Sequence, residues 1–234
     1  MADDGRPGTS RRLVLGALPL AALAGACALP PKRRESQPDV PSPPDPKTPD
    51  EAIAVLMAGN ARFAALRPAV RSVVDIELLW RKVVTTQKPF AMVLGCADSR
   101  LSPEIIFDQF VGDVFVVREA GNIAESPTNL GSLEYGQAVL GAKALVVLGH
   151  SDCGAVNAAF TDATPGGNIA AIVDAIRPGV TGAADLDDAV VRNVQAVIDR
   201  VRRNSPVLRD AENSGAFRIA GAYYDIETST VRMV

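Results

Sequence analysis

Hydrophobic positions along the chain follow two periods. Ile53, Leu56, Met57 and Phe63 recur at helical spacing, directly after Thr48-Pro49-Asp50-Glu51. That tetrad sets a hydroxyl at the cap, proline at the first helical position and glutamate three residues after the cap, a helix-start pattern. Phe90 to Gly95, Val114 to Val117 and Ala144 to Gly149 are short apolar runs. Runs of this length bounded by turn residues predict buried strands. Ser126-Pro127 opens a helix that carries Leu130, Leu133 and Tyr135 toward Leu140. Leu186, Val190, Val194, Val197 and Val201 form the longest helical stripe, and residues 216–226 and 230–233 predict a closing pair of strands or a hairpin. Strands alternating with helices predict an α/β fold, a central, mostly parallel sheet flanked by helices. No internal repeat interrupts this pattern.

The first part of the chain reads differently. Ser10-Arg11-Arg12-Leu13-Val14-Leu15 resembles a twin-arginine export signal, followed by an apolar run to Leu29 with small residues Ala24-Gly25-Ala26 for cleavage. An uncleaved membrane anchor is the alternative, although Pro19 interrupts the run. Cys27 stands where a lipid-bearing cysteine would, with Ala24 where leucine is usual. Residues 30–49 hold eight prolines, a composition that predicts an extended tether. The expected organisation is therefore an export signal over 1–29, a Pro-rich linker over 30–47 and a single domain over 48–234. The expected location is the cell envelope, the periplasm or the exterior, with any membrane contact made by the signal segment or a lipid on Cys27.

Charge narrows the choice of partner. The 234 residues carry 24 basic and 27 acidic side chains, a net charge of -3, and aromatic residues are 5%. No basic stripe lies on any predicted helix, so a nucleic-acid surface is not expected. The three cysteines do not form a disulfide framework.

Two cysteines and the sole histidine carry the chemistry. Cys96-Ala-Asp98-Ser-Arg100 follows the first buried run, and His150-Ser-Asp-Cys153 follows the third. In open parallel sheets, sites form beyond the carboxyl ends of the strands. Cys96, His150 and Cys153 would meet there as a thiolate and imidazole set suited to zinc. A closed structural zinc site has four protein ligands, whereas a catalytic one keeps a position open. Asp98 could close that position, and Arg100, whose fork fits a carboxylate, would hold it away. A water in the open position would then have a pKa near about 7 and act as hydroxide at neutral pH.

Cys-x-Asp-x-Arg followed by His-x-x-Cys-Gly resembles the β-class carbonic anhydrases over roughly residues 50–234. The resemblance implies reversible hydration of carbon dioxide by attack of zinc-bound hydroxide, with one zinc ion per chain on Cys96, His150 and Cys153. It makes Asp98 and Arg100 the catalytic dyad, with Asp98 a metal ligand only in a closed form. It also implies a substrate hydrogen bond from Gln87, nine residues before Cys96, pocket walls from Phe115 and Tyr135, and a place for Gly154 beside the last ligand. A homodimer, or a multiple of dimers, with the pocket at the interface is implied as well. Regulated members carry tryptophan three residues before the first cysteine; Val93 stands here, which argues for an open form at neutral pH. Two other readings stay open: hydrolysis of carbonyl sulfide or carbon disulfide on the same site, and a non-catalytic exported zinc or redox module.

Overall fold

The structure, a computed structural model, describes residues 44–69 and 73–234. Residues 1–43, on which the expected export signal, Cys27 and most of the expected linker fall, lie outside them. Five strands form one sheet: β1 (Ala91–Gly95), β2 (Val114–Arg118), β3 (Ala144–His150), β4 (Arg218–Asp225) and β5 (Thr230–Met233), in the order β2-β1-β3-β4-β5. The first four are parallel, and β5 joins β4 antiparallel across a short turn. This is the mostly parallel sheet that the apolar runs predict. Every residue of β1 and β3 is buried, as strands covered on both faces require.

Strand alternation divides the core in two. Val93, Val146 and Leu148 face one side and pack with Ala52, Ile53 and Leu56 of helix α1 (Pro49–Ala64). Met92, Leu94, Leu145 and Val147 face the other. There they meet Leu130 and Leu133 of α4 (Pro127–Glu134) and Val194, Val197 and Val201 of α7 (Leu186–Asn204). The stripe read from the sequence is thus the buried face of α7. Asp185 caps that helix by accepting a hydrogen bond from the Asp188 amide at 2.8 Å.

Helix α1 begins where the tetrad predicts. Thr48 Oγ1 accepts from the Glu51 amide at 3.2 Å, and Glu51 Oε2 accepts from the Thr48 amide at 3.3 Å. A reciprocal cap of this kind is worth about 1 kcal/mol. Thr48→Ala should therefore lower the urea midpoint of unfolding without altering the slope. An unchanged midpoint would mean that the cap adds nothing to stability.

The sequence pattern did not single out α2 (Val73–Val83), α3 (Pro103–Ile106), α5 (Gly154–Phe160), α6 (Ile169–Val180) or α8 (Pro206–Asn213). The segment read as one helix toward Leu140 is α4 followed by a wider π turn over Tyr135–Val139. Gly149 shows how tightly α7 lies on β3. A Cβ there would stand 2.7 Å from both Val190 and Val194, one residue before His150.

Candidate metal centre

β1 and β3 are parallel neighbours, so their carboxyl ends lie side by side. Cys96 follows β1, His150 ends β3, and Cys153 is the residue on which α5 starts. The two Sγ atoms and a ring nitrogen of His150 all lie within 4.8 Å of one another, and all three residues are buried. His150 Nδ1 donates to the carbonyl of Ser151 at 2.8 Å. With Nδ1–H committed to that carbonyl, the neutral imidazole presents Nε2 as its acceptor. Nε2 is buried and has no hydrogen-bond partner among the described residues. A buried acceptor left unpaired costs about 1–3 kcal/mol, so the site is built for something that accepts this lone pair.

The thiols point the same way. Cys96 is brought well below the usual thiol range, first by the Cys153 thiol donating to it, against burial, and then by the amides of Asp98 and Gly121. Cys153 is pushed up by the same pairing with Cys96 and by burial. One thiolate therefore forms readily and the second resists ionisation. A cation between them removes that resistance. Two thiolates and an imidazole make a soft set for a divalent ion, with three protein donors and one position open. The Gly121 amide also donates to Cys96 Sγ at 3.3 Å. Gly121 adopts φ 69°, and Asn193 holds its carbonyl at 2.9 Å.

Asp98 stands outside the ligand trio. Its carboxylate lies bidentate on Arg100, with Nε to Oδ1 at 3.0 Å and a terminal nitrogen to Oδ2 at 2.7 Å. The Arg100 amide adds a third bond at 2.9 Å. These bonds hold the Asp98 carboxyl down at about 2. Arg100 also reaches the second motif, donating to Asp152 Oδ2 at 3.3 Å and to the Asp152 carbonyl at 3.2 Å.

The remaining residues named from the sequence divide. Phe115 and Tyr135 come together, with ring centroids 6.3 Å apart, and Tyr135 is partly open to solvent. Gly154 opens α5 directly after Cys153. Gln87 is exposed and lines a cavity with Trp80, Val84, Glu104 and Val111, apart from the trio. Sequence reading missed Arg118, whose guanidinium holds the carbonyls of Cys96 and Asp98. A charged residue closing an apolar strand was the available signal. It also missed Tyr223, packed in the core cluster that contains Cys153. Its hydroxyl donates to Asp187 at 2.6 Å. Burial and that carboxylate push Tyr223 up.

The chain is similar to known proteins over most of its length. The carbonic anhydrase family profile matches residues 91–231. Carbonic anhydrase 2 of Mycobacterium tuberculosis is 39% identical over 189 residues, covering 76% of this chain and 89% of that protein. The carbonic anhydrase of Mycolicibacterium smegmatis is 34% identical over 196 residues, covering 79% and 93%. Among solved structures, the β-carbonic anhydrase of Coccomyxa in complex with acetazolamide is 28% identical with a TM-score of 0.61, covering 78% of this chain and 86% of that one. With the buried Cys-His-Cys trio on the same kind of sheet, the chain belongs to the β-class carbonic anhydrases.

Proposed function

We propose that the chain carries out zinc-dependent, reversible hydration of carbon dioxide to bicarbonate and a proton, with one zinc ion held by Cys96, His150 and Cys153. The observation that carries this reading is the unpaired, buried Nε2 of His150 beside two buried thiols. Bound there, zinc would lower the pKa of a coordinated water to about 7 and supply a nucleophile at neutral pH. The chain's own residues do the rest. The Nδ1 bond to Ser151 keeps the imidazole oriented. Arg100 holds the Asp98 carboxylate away from the open position, where it serves as a hydrogen-bond acceptor that orients the attacking water. Phe115 and Tyr135 pack ring against ring, with Phe115 level with Met92 rather than with Cys96, so the apolar wall proposed for them belongs to the same interface pocket as Gln87.

Gln87 lines another cavity of its own chain. Its proposed hydrogen bond to substrate therefore requires a two-chain assembly with the pocket at the interface. β2 lies at the edge of the sheet, and Trp80, Val84, Val111, Tyr135 and Val139 are exposed apolar residues. An unpaired strand edge and apolar surface of this kind support a homodimer or a multiple of dimers. Sedimentation at micromolar concentration should give a dimer or larger; a monomer would remove the role assigned to Gln87. Delivery to the cell envelope, periplasm or exterior is part of the same proposal, supported by the twin-arginine pattern. A lipid on Cys27 is the variant that would keep the chain at a membrane.

Zinc analysis with thiol titration separates this reading from a redox module. Bound zinc and thiols that react only after chelation support it; a Cys96–Cys153 disulfide without zinc contradicts it. A faster reaction with carbonyl sulfide or carbon disulfide than with carbon dioxide would move the assignment to those substrates.

The histidine count has its own consequence. His150 is the only histidine, and the site uses it. No imidazole with a pKa of about 6.5 is left to carry the proton released in each hydration cycle. The turnover number should therefore rise steeply with imidazole-type buffer, while kcat/KM stays nearly constant. A turnover number that is flat across buffer concentrations would mean that Asp98, Tyr135 or a water chain relays the proton.

A further inference from the structure

Arg118 closes β2 at the position paired with Gly95 of β1. Strand pairing ends there, yet the chain beyond Gly95 must carry Cys96 and Asp98. Arg118 Nε donates to the Cys96 carbonyl at 2.9 Å, and a terminal nitrogen donates to the Asp98 carbonyl at 2.6 Å. The backbone of the next residue fills the gaps. The Glu119 amide donates to the Gly95 carbonyl at 3.0 Å, and the Ala97 amide donates to the Glu119 carbonyl at 3.3 Å. Gly95, Cys96, Ala97 and Asp98 are thus each held by Arg118 or Glu119. A guanidinium does the work of a strand for the segment that bears the first ligand and the dyad.

We propose that Arg118 is a positioning residue that fixes the Cys96–Asp98 turn, so that the Asp98 carboxylate stays on Arg100 and off the metal position. The inference rests on the function proposed above. A carboxylate on an unanchored turn could reach either its arginine or the ion. With both carbonyls tied down, the turn presents it to Arg100. Arginine suits this role because its planar fork spans two acceptors two residues apart, whereas lysine carries its three donors on one compact nitrogen. Asp152 is a weaker candidate for this role. It holds Arg100 through one 3.3 Å side-chain bond from a side chain that is 81% exposed, and such solvent-facing pairs contribute little.

The test compares the full-length wild type with Arg118→Ala, Arg118→Gln and Arg118→Lys. Each is measured for bound zinc, for kcat/KM per bound zinc, and, after cobalt substitution, for the visible absorption of the metal. The expected result is retained metal, a fall in kcat/KM per zinc of about ten-fold or more in the alanine and glutamine variants, and partial recovery with lysine. The cobalt spectrum should change as a carboxylate enters the coordination sphere. Adding Asp98→Asn to Arg118→Ala should return that spectrum to the wild-type form, because no carboxylate is left to move. If the alanine variant does not fold, the glutamine and lysine variants carry the same comparison. Variants with lowered thermal stability but wild-type kcat/KM per zinc and an unchanged cobalt spectrum would make Arg118 a plain brace and overturn the inference. A wild type that binds zinc but does not hydrate carbon dioxide would overturn the proposed function instead, and the cobalt comparison would still decide the role of Arg118.

Discussion

His150→Ala should lose both zinc and carbon dioxide hydration, and Cys96→Ser and Cys153→Ser should do the same. The three donor atoms sit within 4.8 Å in a buried site, and no other described cysteine or histidine stands in reserve. Zinc sites of fully protein-ligated domains release about 10–16 kcal/mol. Shared over four donors, one ligand accounts for roughly 2.5–4 kcal/mol, a loss of about fifty-fold to several hundred-fold in affinity. The remaining pair would also carry a poorly compensated charge. In His150→Ala two thiols still face each other, and the one that ionises first opposes ionisation of the second. Metal analysis after dialysis at micromolar protein checks this. A variant that keeps full zinc occupancy would remove its residue from the ligand set.

Asp98→Asn should keep zinc and lose about ten- to a hundred-fold in kcat/KM, the usual scale for removing a hydrogen-bonding partner that orients a metal-site group. The amide is nearly isosteric, but it cannot accept the paired hydrogen bonds from Arg100 at 3.0 and 2.7 Å in the same way. The pH behaviour follows from the depressed carboxyl. Asp98 sits at about 2 in the folded chain, against about 3.9 for an unperturbed aspartate. A lowered folded value stabilises the native state above the unfolded value, and the contribution fades as pH falls from about 4 through 2. Between pH 6 and 9 the carboxylate is ionised throughout. The deficit of Asp98→Asn should therefore be the same at every pH in that range. A deficit that varies with pH there would assign Asp98 a proton-transfer role with a pKa in that range. Unchanged kcat/KM would reduce the dyad to an ordinary ion pair. Loss of zinc would make Asp98 a ligand.

Much of the site was legible because its residue types are rare and its strands are plain. The sole histidine and two of the three cysteines follow uninterrupted apolar runs, and parallel pairing of β1 with β3 brings those ends together. The Thr48 cap and the valine stripe of α7 were legible for local reasons: each is settled within a few helical turns. The short helices were not. Gly154–Phe160 has small residues without clear periodicity, and Ile169–Val180 carries Pro178 near its end. Such segments become helical mainly because they pack on the sheet and on one another. Nor does spacing reveal bonds from a side chain to distant carbonyls, which is why Arg118 passed unnoticed. Gln87 marks the opposite case. Its distance from Cys96 along the chain was readable, but in the fold it lines a cavity with Trp80 and Glu104.

The most direct test is stopped-flow hydration of carbon dioxide by the zinc-loaded protein, with the chelator-stripped protein as control. The account predicts a rate that scales with bound zinc, disappears on stripping and returns when zinc is restored. A zinc-saturated protein with no hydration above the buffer rate, or a rate indifferent to zinc, would contradict it.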